Sequence, residues 1–160
     1  MIVIVLNKVE QQLARTVAKL RHENNRNDNV YNAKIGPQSN ADTDLEGIAA
    51  EIAYCKLMNV YPDLDIDKGR PDWDAILKNG ATVDVKATIY PNGKLLARPI
   101  KSMKPPDLYA LMVGKFPKYA LAGHMSAEEL LVPDRIGSLG YGATYIARQS
   151  ELVEGLPHDI

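Results

Sequence analysis

Pro71 to Thr88, PDWDAILKNGATVDVKAT, constrains the fold more than any other stretch, because apolar and polar residues alternate on both sides of a turn signal. Trp73, Ala75, Leu77, Ala81, Val83, Val85 and Ala87 are apolar; Asp72, Asp74, Lys78, Thr82, Asp84, Lys86 and Thr88 are polar. A period of two predicts two strands, joined at Asn79-Gly80. A two-residue loop would set Asp74 opposite Val85 and turn one apolar face to water, since a one-residue slip flips every side chain. A three-residue loop, Lys78-Asn79-Gly80, with Gly80 left-handed in a bulge, keeps all the odd-numbered apolar residues on one face. In that register Asp74 lies opposite Asp84, and Asp72 opposite Lys86.

Two carboxylates facing each other across a hairpin repel, at a cost of roughly 0.2 to 1 kcal/mol if exposed and more if buried. A divalent cation removes that cost, and an oxygen-only pair suits Mg²⁺, which takes one or two carboxylates and completes its shell with waters and phosphate oxygens. Lys86 points to the same face, where it can orient or deprotonate a water or neutralise charge on a phosphate. The plain alternative is an exposed acidic hairpin with a surface ion pair of little value. On this stretch alone the two readings weigh equally.

Asp72 or Asp74 after Pro71, followed across the hairpin by Asp84-Val85-Lys86, resembles the signature of the PD-(D/E)XK nuclease superfamily in its D-x-K form. In that superfamily the first core helix often brings a glutamate to the metal, within a Gly-x-x-x-Glu pattern. Gly47-Ile48-Ala49-Ala50-Glu51 is similar and precedes the hairpin in the expected order. The resemblance implies a restriction-endonuclease-like α/β core, a central mixed sheet flanked by helices, over residues 42 to 148. Residues 1 to 41 would add an N-terminal helix and loop, and 149 to 160 a tail. It implies a Mg²⁺- or Mn²⁺-dependent deoxyribonuclease with Glu51, Asp74, Asp84 and Lys86 catalytic. Metal ligands would be Asp74, Asp84, Glu51 directly or through water, and the Val85 carbonyl, with Asp72 in reserve for Asp74. The superfamily's second helix, after the D-x-K strand, has no counterpart here, so nothing carries over from it. As a small stand-alone domain the chain is similar to phage-encoded nucleases. A nuclease-like module that binds nucleic acid without cutting it is the competing expectation.

The rest of the chain sets limits on this reading. With 160 residues, 46% hydrophobic and 24% charged, one soluble domain is expected. A net charge of −1 gives no global attraction to nucleic acid, so positive charge must be local. Tyr90 to Pro106 supplies it: Lys94, Arg98, Lys101 and Lys104, no acidic residue, and four prolines that limit regular structure. Such an arm either follows a nucleic-acid backbone or is an ordinary solvated loop. One cysteine, Cys55, excludes an internal disulfide and fits a reducing cytoplasm. MIVIVL is too short for a signal peptide or membrane span and reads as a strand. A homodimer stays open.

Apolar spacing predicts a helix from Asn7 to about Glu23 with Val9, Leu13, Val17 and Leu20 inward. Lys8, Arg15, Lys19 and Arg21 then face solvent or phosphates, and His22 caps the end or lies at the surface. Asn24 to Pro37 reads as loop. A second helix from about Asp44 to Asn59 would open on a Thr43/Glu46 capping box and bury Leu45, Ile48, Ala49, Ile52 and Cys55. Gly47 would leave room for a backbone or ligand, and Glu51 would sit at the core boundary. Asp63 to Asp67 alternates as an edge strand. Asp107–Val113 and Tyr119–Gly123 read as central strands, Ser126/Glu129 as a cap opening a short helix stopped by Pro133, and 141 to 148 as a late strand. His124 reads as structural, and the tail from Glu151 as loosely held.

Overall fold

A computed structural model describes residues 1–27, 40–67, 69–99, 104–140 and 142–156. The chain is a mixed α/β protein with strands β1 (Ile2–Val5), β2 (Ala75–Ile76), β3 (Thr82–Thr88), β4 (Leu95–Ala97), β5 (Leu108–Lys115), β6 (Lys118–Ser126), β7 (Ile136–Ser138) and β8 (Ala143–Ala147). Its α-helices are α1 (Lys8–Asn27), α2 (Asn40–Met58) and the single turn α3 (Ala127–Leu130). The main sheet runs β1-β6-β5-β3-β2, parallel only between β3 and β5. A small antiparallel sheet runs β4-β8-β7.

Three layers result. On β5, Leu108, Ala110 and Met112 face the helices, and with Val83, Val85, Tyr119 and Leu121 they pack under α1 and α2. The alternate residues Tyr109 and Leu111 join Ala122 and Met125 in a second core, closed by Leu95, Ala97 and Ala147 of the small sheet and by Leu130 and Leu152. Being covered on both faces, β5 reads as a continuous apolar run, as a central strand must.

The parallel β3–β5 pair needs a long crossover, usually helical. Here β4 makes it: Leu95–Ala97, within the segment expected to lack regular structure, is a strand whose Leu95 and Ala97 are buried. Prolines flank these residues without interrupting them.

The two long helices depart from the expected pattern in instructive ways. Asn7 caps α1 by accepting from the Glu10 N–H at 2.9 Å while Glu10 Oε2 accepts from the Asn7 N–H at 2.7 Å. The buried face of α1 is Ala14, Val17, Ala18 and Arg21; Val9 and Leu20 are exposed. Large apolar residues suggest a stripe through Leu20, but close approach to α2 favours alanines. The helix also continues past Glu23, with Asn24 Nδ2 donating to the Ile66 carbonyl at 2.8 Å. The remainder of the expected loop, 28–37, lies outside the described residues.

α2 begins at Asn40, four residues before Asp44, so Thr43 lies inside the helix and is not its N-cap. Glu46 is instead a tertiary anchor: both oxygens accept from the Phe116 N–H at 3.1 Å, and Oε2 accepts from the Tyr119 hydroxyl at 2.6 Å. From Ile48 to Cys55 only Glu51 escapes full burial, because α2 lies between α1 and the sheet. Asn59, at φ 55°, ends it in a Schellman arrangement, with Val60 N–H donating to Cys55 O and Asn59 N–H to Lys56 O. Among the described residues, a Cβ at Gly47 would meet nothing within 4 Å, so none of their backbone uses the room it leaves.

Asp63–Asp67 is not a strand. Its carbonyls are taken by side chains from α1, and Asp63 and Asp65 each accept from the N–H two residues on, at 2.9 Å. Ser126 caps α3 as expected, through the Glu129 N–H, although the helix ends at Leu130 before Pro133. Nor is the chain beyond Glu151 loose throughout: Leu152 is buried, and Val153 exchanges backbone hydrogen bonds with His124.

His124 is buried, with Nε2 2.8 Å from the Tyr54 hydroxyl, and desolvation pushes its pKa down to about 4. The unfolded chain therefore takes up a proton near pH 6.5 that the folded chain refuses. The stability this neutral histidine confers is complete above about pH 6.5 and is lost as pH falls toward 4. Urea unfolding of wild type and His124→Gln across that range should show wild type losing more stability, by a few kcal/mol at the acid end. Glu46→Ala should cost about 2 to 3 kcal/mol in the same assay, since charge-assisted bonds to a backbone N–H and a phenol disappear.

Candidate active site

The hairpin has the register required by its pattern. Ala75 pairs with Val83 and Ile76 with Thr82; Leu77 N–H donates to Ala81 O, and Gly80 sits at φ +89°. Lys78-Asn79-Gly80 is thus the three-residue connection, and its left-handed Gly closes the bulge. Val83 and Val85 face the helices, so Asp84 and Lys86 point to the opposite side, shared with Tyr109 and Leu111.

β2 is short, and this shapes the site. Beyond Ala75 the ladder is continued by Asp74 itself: its N–H donates to Val83 O at 2.8 Å, and its Oδ2 accepts from the Val85 N–H at 2.8 Å. The contribution of Val85 seen here is this N–H. Asp74 is brought close enough to Asp84 for a hydrogen bond between the carboxyls. Burial, then the Asp84 charge, pushes Asp74 up to about 7, against the pull of the Val85 N–H and Lys86.

Lys86 Nζ lies 2.8 Å from Asp84 Oδ1. Burial opposes its charge, but Asp84, with Asp74 and Glu51 behind it, prevails and raises its pKa. The side chain therefore stays an ammonium. Asp72 is exposed and felt by Tyr109; of the two candidates before the hairpin, Asp74 is the one placed against Asp84.

Glu51 enters from the helix layer. Its side chain is only 16% exposed, and burial, reinforced by Asp74 and then opposed by Arg21 and Arg70, raises its pKa well above the carboxylate range. Arg21 was expected among the outward cations of α1, yet its side chain is 6% exposed. Its Nη1 lies 3.5 Å from Glu51 Oε2, while Nε and Nη2 donate to the carbonyls of Asp65 and Asp63 at 2.9 Å. His22, one residue on, meets Asp44 Oδ2 at 2.7 Å between the helices. The sequence signal that could have placed Arg21 inward is its i+3 and i+4 spacing from Ala18 and Val17.

The basic arm is dispersed. Lys94 is exposed beside β4, Arg98 is half-buried just after it, and Lys104 is exposed near Asp107. Lys101 lies outside the described residues.

A divalent cation can be tested against this donor set. Asp74 and Asp84 offer only oxygen, in mutual repulsion, which fits Mg²⁺ or Mn²⁺ bound by two carboxylates with waters and phosphate oxygens. Among the described residues no group of three or more His, Cys, Asp or Glu is arranged to hold a metal ion. Glu51 is accordingly a neighbouring carboxyl held by Arg21, suited to contact through water.

These features define a mixed α/β protein with an acidic cluster, closed by one lysine, at the edge of its main sheet. Residues 3–138 match the Family of unknown function (DUF5843), and since they make up most of the chain the protein belongs to that family. Comparison with curated proteins and with solved structures gave no significant match. Among the described residues no helix is long and apolar enough to cross a membrane.

Two substitutions separate the charges. Asp74→Asn should stabilise the metal-free protein at about pH 8 and lose that advantage as pH falls toward 4. The reason is that the folded carboxyl titrates near 7 and the unfolded one near 3.9, so ionisation costs the folded state only above the lower value. Arg21→Gln should destabilise by about 3 kcal/mol or more, as expected when one partner of a buried pair is removed. Urea midpoints in EDTA at both pH values read out both effects.

Proposed function

We propose that the protein is a metal-dependent nuclease that hydrolyses phosphodiester bonds, with DNA the expected substrate, and that Asp74, Asp84 and Lys86 form its reactive centre on a restriction-endonuclease-like plan. One observation carries this reading: two carboxylates are held in contact against their repulsion, with an ammonium 2.8 Å from one of them. A chain that needed only a hairpin would gain stability by replacing Asp74, so the arrangement favours a use for the charge.

Asp74 and Asp84 would hold the cation. When bound, it would supply positive charge to the phosphate and acidify a water. Asp74 is oriented by the Val85 N–H and Asp84 by Lys86. Since Lys86 remains protonated, its role is to donate to a phosphate oxygen or the attacking water and offset transition-state charge rather than remove a proton. Glu51, fixed by Arg21, stands on the helix side of the cluster and would act through a water.

The test is cleavage of supercoiled, linear and single-stranded DNA with Mg²⁺, Mn²⁺ or EDTA. Wild type should cut only with metal, and Asp84→Asn and Lys86→Ala should each lower the rate by about 100-fold or more with the fold unchanged. An Asp84→Asn protein that cuts like wild type would sink the assignment. Absence of a three-carboxylate group among the described residues favours one alternative, a nuclease-like module that binds nucleic acid without cutting. Metal-independent binding with no cleavage in any condition would select it.

A further inference from the structure

The small sheet carries a second pair of opposed like charges, this time positive. In its ladder Leu95 pairs with Ala147, Leu96 with Ile146 and Ala97 with Tyr145. One step further, that register sets Lys94 opposite Arg148, whose φ of −78° and ψ of 155° continue the extended strand. Like charges directly across an antiparallel pair destabilise it. The geometry is nonetheless fixed from outside the ladder: Gln149 Nε2 donates to the carbonyls of both Pro91 and Gly93 at 2.9 Å, fastening the turn before Lys94 to the residue after Arg148. A Cβ at Gly93 would collide with the Thr88 side chain, so that turn has little freedom.

Lys94 and Arg148 open onto a cleft of about 480 Å³, whose other charged groups are Arg135, Asp134 and Glu151, with Ser150 as a hydroxyl donor. Glu151 is already engaged, accepting from Arg135 Nη1 at 2.9 Å and from the Arg148 N–H at 2.8 Å. Three cations therefore face two carboxylates, one of which serves the cleft's own frame. The cleft belongs to the layer that covers the Asp84 and Lys86 face of the main sheet. Tyr109, under that layer, is neighbour to both Asp84 and Tyr145. Leu95, Ala97 and Ala147 are buried against the main sheet, so Lys94 and Arg148, which alternate with them, point to the outer side of that layer.

We infer that Lys94 and Arg148 form a phosphate subsite for a nucleic-acid strand, gripping its backbone on the outer side of the small sheet. The inference rests on the nuclease reading for the choice of polyanion. Arg135 backs the subsite by neutralising Glu151, and Ser150 is placed to donate to a phosphate oxygen.

Fluorescence anisotropy of a labelled single-stranded oligonucleotide and its duplex, in EDTA across a range of salt, tests binding without cleavage. The proteins are wild type, Asp84→Asn, the double variant Lys94→Ala/Arg148→Ala, the exchange Lys94→Arg/Arg148→Lys, and Lys19→Ala as an exposed cation elsewhere. The double variant should bind on the order of ten-fold more weakly, with a log–log salt slope smaller by about 1.4 for the single strand. The exchange and Lys19→Ala should bind like wild type, and the double variant should unfold at a urea midpoint no lower than that of wild type. Wild-type affinity and slope in the double variant would overturn the subsite, as would a wild type that binds neither probe. Binding that depends on Lys94 and Arg148 in a wild type that cuts nothing when Mg²⁺ is added would support the subsite while removing the hydrolytic reading. Loss of cleavage but not of binding in Asp84→Asn supports both.

Discussion

Opposed like charges are the constraint around which this molecule is arranged, and apolar burial is what enforces it. Val83 and Val85 are nearly inaccessible beneath the helices, and moving either to the other face would expose them and bury Asp84 and Lys86 in their place. Burying two valines stabilises by about 1.5 to 3 kcal/mol each, which favours this register against the repulsion of the two carboxylates. The register is thus decided on one face of the hairpin, and the charges on the other face accept its consequence.

Compensation comes from three directions. Lys86 sits on the same strand face as Asp84, the Val85 N–H meets Asp74, and Arg21 reaches Glu51 from a different helix. The last contact ties the N-terminal segment to the cluster. α1 is not a basic face turned to solvent along its length: Arg21 is buried, and Arg15 lies 4.8 Å over the Phe116 ring. β1 also completes the main sheet beside β6, so residues 1–27 frame the same core as the hairpin.

The layer on the far side of the sheet gives the cluster a second wall. A β-crossover in place of a helix lets β4 pair with β8, which sets Tyr145 near Tyr109 and brings Lys94 level with Arg148. Prolines and basic residues between 90 and 106 gave no warning of this strand. Its Leu95, Leu96 and Ala97 are too few for a periodic signal, and the partners that make them a strand lie some fifty residues away.

Local pattern in the sequence determined the hairpin, its three-residue turn, the Asp74/Asp84 opposition, the central strands, and the Ser126 cap, because each depends on residues within a few positions of one another. Tertiary structure alone decided which face of α1 turns inward, that Glu46 anchors Phe116 and Tyr119, that 63–67 is a loop, and that Arg21 stands against Glu51. Those outcomes depend on what another element presents across the interface. An arginine and an alanine three residues apart look alike in periodicity until a carboxylate and two backbone carbonyls from distant segments are there to receive the guanidinium.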